Sequence, residues 1–120
     1  MRIYTLTPLP IEIFKGYSAL ARIAFGIIWE RYRLSMHNYD SNQGAASDQW
    51  YDQNEQRVYC TFNQLELANL VGCSERSIRN VLNELRRDAY IETKKAKYGG
   101  SLRVFVHPSV ARYMLSAGRR

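Results

Sequence analysis

The stretch from Asn63 to Asp88 constrains this chain more than any other, because it signals two helix starts and the corner between them in quick succession. Asn63 can accept from the first free amides of a helix while Glu66 reaches back to it, a capping box, and Phe62 and Leu67 stand where a hydrophobic staple closes. Leu65, Ala68 and Leu70 continue that helix, and Gly72 stops it where a left-handed backbone costs little. Ser74 caps a second helix at once, with Cys73 and Ile78 as its staple. Ile78, Val81, Leu82 and Leu85 recur at three- and four-residue spacing and predict that this helix runs to the neighbourhood of Asp88.

The flanks supply the rest of a fold. Arg57 to Thr61 alternates Val58 and Cys60 against polar neighbours and reads as one strand. Beyond the helix pair, Tyr90 to Ala96 and Ser101 to His107 read as two strands, joined by Lys97, Tyr98, Gly99 and Gly100, whose glycines supply the backbone angles of a hairpin turn. Upstream, Ser18 caps a long first helix through Leu20, Ile23, Ala24, Ile27, Ile28, Arg31 and Leu34, apolar over more than one face. Pro8 and Pro10 make Ile3 to Phe14 an extended arm, and Asn38 to Gln49, with almost nothing to bury, reads as a surface loop. Ser109 caps a short final helix to Ala117 that buries Val110, Met114 and Tyr113.

A chain of 120 residues holds one hydrophobic core. The expected organisation is an arm over 1–17, a domain over 18–108, and a short helix with a frayed tail over 109–120. The order strand, short helix, tight turn, longer helix, hairpin makes that domain α+β, a winged helix-turn-helix with a small antiparallel wing.

In such a fold the second helix of the pair lies in the DNA major groove. Removing its apolar stripe leaves Glu75, Arg76, Ser77, Arg79, Asn80, Asn83, Arg86 and Arg87 outside the core, mostly donors. Arginine can pair bidentately with guanine and asparagine with adenine, so Arg76, Ser77, Arg79, Asn80 and Asn83 are the candidate base readers, with a phosphate contact as the alternative for each. Arg86 and Arg87 lie near the helix C-terminus, where cations also suit the helix dipole. Lys94, Lys95, Lys97 and Arg103 crowd the hairpin, where they can reach the backbone or the minor groove. Gln64 and Ser74 at the two helix starts and Tyr98 in the turn complete the candidate DNA-binding set. The chain's net charge of +6 agrees with a polyanionic partner without requiring one. Between Arg57 and Val106, nine basic residues face five acidic ones, so most of the surplus sits in the binding half.

Other chemistry finds little support. His37 and His107 have no neighbouring cysteine, histidine or carboxylate pattern for a metal site or an activated nucleophile, and the glycines form no phosphate-cradling motif. The reading is therefore not an enzyme, with no cofactor and no metal. Cys60 and Cys73 read as buried thiols of a reducing compartment. The longest apolar run, Ile23 to Trp29, is short of the roughly 18 residues of a membrane span, and no basic-then-hydrophobic leader opens the chain, so a soluble cytoplasmic location is expected.

From Pro10 onward the sequence resembles the N-terminal domain of the RepA-type plasmid replication initiators of Gram-positive bacteria. The matching pieces are Pro10-Ile11-Glu12-Ile13-Phe14, Tyr17-Ser18, Ala21-Arg22, Glu30-Arg31-Tyr32-Arg33-Leu34-Ser35, Asn38, Trp50-Tyr51-Asp52, Val58-Tyr59 and the helix-turn-helix through Leu85. The resemblance implies a domain that binds repeats at a plasmid origin, acts as a homodimer, and precedes a C-terminal domain that recruits host replication proteins. The segment between Tyr39 and Gln49 departs from the pattern as an insertion. A transcriptional regulator and a protein-interaction or replisome-organiser winged helix are the alternatives, since the fold alone does not choose. For a dimer surface, the apolar excess of the first helix, Phe25, Ile28, Trp29 and Tyr32, is the candidate, with the arm and the tail around Tyr113 and Met114 beside it, and burial in the monomer's own core is the alternative for most of them.

Overall fold

In the computed structural model the described residues are 16–41, 50–95 and 101–117. Residues 1–15 of the expected arm, the Lys97 to Gly100 turn and the frayed tail lie outside them, as does 42–49 of the expected loop. The elements run α1 (Ala19–Ser41), β1 (Tyr51–Asp52), β2 (Arg57–Val58), β3 (Cys60–Asn63), α2 (Gln64–Val71), α3 (Glu75–Arg87), β4 (Ile91–Lys95), β5 (Ser101–Val106) and α4 (Pro108–Ala117). The fold is α+β, and its order is that of a winged helix.

Ser18 starts α1 as expected, its Oγ accepting from the Ala21 amide at 3.1 Å. The helix continues through Ser41, so Asn38 to Ser41 is helical where a loop was expected. Packing explains the extra turn, because the Tyr39 ring stacks on Tyr51 with centroids 4.9 Å apart. Residues on several sides of α1 are buried because it is the central helix: it contacts α2, α3, β2, β3 and β5. Phe25, Ile28, Trp29 and Tyr32 are inside the monomer, each under 10% exposed, which corrects the expectation that they form a dimer surface. Their apolar area is already removed from water by α2, α3 and the sheet. The buried Glu30 accepts from Arg33 at 2.6 Å on the same helix.

The expected Arg57 to Thr61 strand is split between two sheets. β2 pairs antiparallel with β1, whereas β3 joins the three-stranded antiparallel sheet β3-β5-β4. Tyr59 sits at the break, its amide donating to the Trp50 carbonyl at 2.9 Å and its ring meeting Phe105 edge-on at 6.3 Å. In the larger sheet Cys60 stands opposite Val104 and Ile91 opposite Val106, and this face packs on the helices. The other face carries Lys94 opposite Arg103 and Glu92 opposite Phe105. Phe105 is nonetheless 2% exposed, because Tyr59 and the Arg57 guanidinium, 4.9 Å from its ring centroid, cover it. The β1-β2 hairpin thus gives the sheet a second, smaller core on its outer side.

Both expected caps of the helix pair are present. Asn63 Oδ1 accepts from the amides of Leu65 and Glu66, and the Glu66 side chain accepts from the Asn63 amide. Gly72 adopts φ +88°, and the amides of Gly72 and Cys73 both donate to the Ala68 carbonyl. Ser74 Oγ accepts from the Ser77 amide at 3.1 Å. α3 ends at a non-glycine counterpart: Ala89 takes φ +61°, and the Tyr90 amide donates to the Leu85 carbonyl at 2.9 Å. The Tyr17 hydroxyl donates to the Asp88 carboxylate, which ties the approach to α1 to the end of α3. At α4 the cap is His107, whose Nδ1 accepts from the Ser109 amide at 3.1 Å, and Pro108 opens the helix. This moves the expected Ser109 cap back by two residues, and Tyr113 proves exposed while Val110 and Met114 are buried.

Candidate nucleic-acid interface

α3 separates its residues cleanly. Ile78, Val81, Leu82 and Leu85 are buried against the core, and Arg76, Arg79, Asn80, Asn83 and Arg87 are exposed on the opposite side. Positions 76, 80, 83 and 87 follow one another at helical spacing, so their side chains form one outward stripe with Arg79 beside it. Arg76, Arg79 and Asn80 have no hydrogen-bond or ion-pair partner among the described residues. These three therefore present guanidinium and amide groups not engaged by the described part of the molecule.

The other candidates are more engaged. Ser74 is the α3 cap, and its hydroxyl also donates to Ser77 Oγ at 3.0 Å, so both serines face the helix start. Gln64 is half-buried as the first residue of α2. Arg87 pairs with its neighbour Asp88 at 3.3 Å. Arg86 spans from α3 to the sheet: Nη1 donates to Thr93 Oγ1 of β4 at 2.8 Å, and Nη2 donates to Asn83 Oδ1. The polar side of α3 is thereby joined directly to the strand that enters the hairpin.

On the outer face of the sheet, Lys94 and Arg103 both donate to Asp52 Oδ2, at 3.0 and 2.7 Å. Asp52 is 1% exposed, and its Oδ1 accepts from the Glu55 amide at 2.9 Å. Burial alone would raise its carboxyl, but the Glu55 amide, Lys94 and Arg103 outweigh that and bring it down to about 2. The Arg103 guanidinium also lies 4.4 Å from the centroid of the Tyr59 ring. Lys95 is exposed at the end of β4, and Lys97 and Tyr98 lie outside the described residues. Asp52, Thr93 and Arg57 were not singled out for a role by sequence reasoning. The available signal for Asp52 was the Trp50-Tyr51-Asp52 piece of the family-like pattern, which carries no periodicity.

Among the described residues no cluster of three or more histidine, cysteine or acidic side chains could hold a metal ion, and no helix is long and apolar enough to cross a membrane. Burial pushes the Cys60 thiol up to about 12.

Fold and site together define a winged-helix domain with a donor-rich helix face beside a basic hairpin. The model of the replication initiator protein A (RepA) N-terminus family matches residues 7–114, and the chain belongs to that family. Among solved structures, one described as the structure of an MDR initiator is similar with a TM-score of 0.59 and 21% identity, covering 99% of this chain and 90% of that one. Another, described as the N-terminal domain of a DNA-binding protein, is similar with a TM-score of 0.62 and 16% identity over 99% of this chain and 87% of that one. At these identities the likeness is one of fold. No curated protein matches the chain.

Proposed function

We propose that this domain binds double-stranded DNA repeats at a plasmid replication origin, with α3 in the major groove and the hairpin on the backbone or in the adjacent minor groove. The observation that carries the reading is the outward stripe of Arg76, Asn80 and Asn83, with Arg79 beside it, on a helix whose polar side is bonded to the wing strand through Arg86 and Thr93. Membership in the initiator family supports the origin as the target, and the donor-rich stripe is a surface suited to reading it.

The same reading places the protein in the cytoplasm, acting as a homodimer on the repeats and passing the origin to host replication proteins through a C-terminal part. With the α1 residues inside, a dimer would use other apolar surface, such as Leu34 on α1 and Leu115 on α4, which are exposed. Fluorescence anisotropy against duplexes carrying the origin repeats and against random duplexes tests the reading. Tight, salt-sensitive binding to the repeats and weak binding elsewhere is expected. Equal affinity for both would reject origin recognition.

A further inference from the structure

Asn83 and Arg86 were both candidates for contacting DNA, yet the structure bonds them to each other. A guanidinium has donors only, so the Asn83 atom facing Arg86 is its amide oxygen, with no ambiguity of assignment. Arg86 is in turn held from the other side, where its second terminal nitrogen donates to Thr93 Oγ1 on β4. The Asn83 oxygen is thus held by a charged donor that is itself anchored on the wing strand, and the NH2 end is the part of the amide with no partner among the described residues.

Resting on the DNA-binding reading above, we infer that Arg86 is a positioning residue that orients the Asn83 amide so that it reads the major groove chiefly as a donor. Asparagine recognises adenine by accepting from N6 and donating to N7 together, and the first of these draws on an oxygen that already gives one of its two lone pairs to Arg86 and is oriented by that bond. Guanine instead presents two acceptors, N7 and O6, both suited to an NH2 group. The base position read by Asn83 is therefore guanine rather than adenine, reversing the ordinary preference of the side chain. Thr93 belongs to the same device, since without its hydroxyl the guanidinium loses the anchor that fixes its direction.

The test is selection from a randomised double-stranded DNA pool by the wild type and by Asn83→Ala, Arg86→Ala, Thr93→Val and Thr93→Ser, with melting curves to confirm folding and the salt dependence of binding to the winning duplex. Asn83→Ala should erase the preference at one base position, and in the wild type that position should favour guanine over adenine about tenfold. Arg86→Ala and Thr93→Val should relax the preference to under about threefold with the salt slope unchanged, and Thr93→Ser should retain it. Adenine at that position, or no position altered by Asn83→Ala, would overturn the inference. So would an Arg86→Ala variant that keeps the base preference but loses roughly 0.9 from the salt slope, because Arg86 would then be a phosphate contact. A wild type that enriches no sequence would overturn the DNA-recognition reading itself, an outcome distinct from these.

Discussion

Arg103 donates to Asp52 at 2.7 Å from a residue 51 positions away in the chain, and Lys94, standing opposite Arg103 in the sheet, shares the same carboxylate oxygen. The small β1-β2 hairpin is thereby fastened to the wing sheet by one buried acid. Two cations that composition assigns to DNA are thus also structural members of the wing.

Asp52→Ala should lower stability by roughly 1–3 kcal/mol, the cost of leaving partly buried donors without their acceptor. The figure stays moderate because Lys94 and Arg103 are half-buried and regain water. Urea unfolding of the variant against the wild type measures it, and no change would mean that the hairpin is held by the Tyr59–Phe105 contact and by Arg57, which bonds Glu92 and the Val106 carbonyl, without help from Asp52.

The same carboxylate gives the fold an acid limit. Its folded pKa of about 2 lies below the roughly 3.9 of an unfolded aspartate. The stabilisation is therefore fully present above about pH 4 and is lost as pH falls through about 2. Stability of the wild type should decline over that window, and the decline should be shallower in Asp52→Asn.

Two positive backbone angles should respond in opposite directions. Gly72→Ala at φ +88° should cost about 1 kcal/mol by backbone strain alone, since a Cβ there meets nothing within 4 Å. Ala89→Gly at φ +61° should stabilise by about 0.5–1 kcal/mol by relieving the same strain. Thermal melts of both variants check the pair, and equal signs would show that contacts rather than backbone conformation set the cost.

Trp29→Ala should destabilise the domain by about 3–5 kcal/mol, since a fully buried aromatic leaves a cavity in the central helix. If Trp29 instead served association, the loss would appear mainly in the sedimentation of the native protein. Chemical unfolding at two protein concentrations separates these outcomes.

What the sequence made legible follows the range of the interactions. The starts of α2 and α3 rest on Asn63, Glu66 and Ser74, each bonded within three residues of itself, so local spacing was enough to place them. The stripe on α3 was equally legible, because helical periodicity sorts its residues without reference to the rest of the chain. The Asp52 brace was not, since its cations lie 42 and 51 residues away and nothing in Tyr51-Asp52 marks a strand. The last turn of α1 was hidden for a related reason: Asn38, Asp40 and Ser41 are weak helix formers, and the stacking of Tyr39 on Tyr51 is a tertiary contact. An α1 apolar over several faces fits a central helix or an exposed one, and only its neighbours on every side decided for the first.

The most direct test of the account is binding of the Arg79→Ala/Asn80→Ala double variant to an origin-repeat duplex, measured beside its melting temperature. Both side chains are exposed and engage no described residue, so the account expects an unchanged melting temperature and loss of discrimination between repeat and random DNA. Undiminished specific binding by this folded variant would contradict the assignment of the α3 stripe as the reading surface.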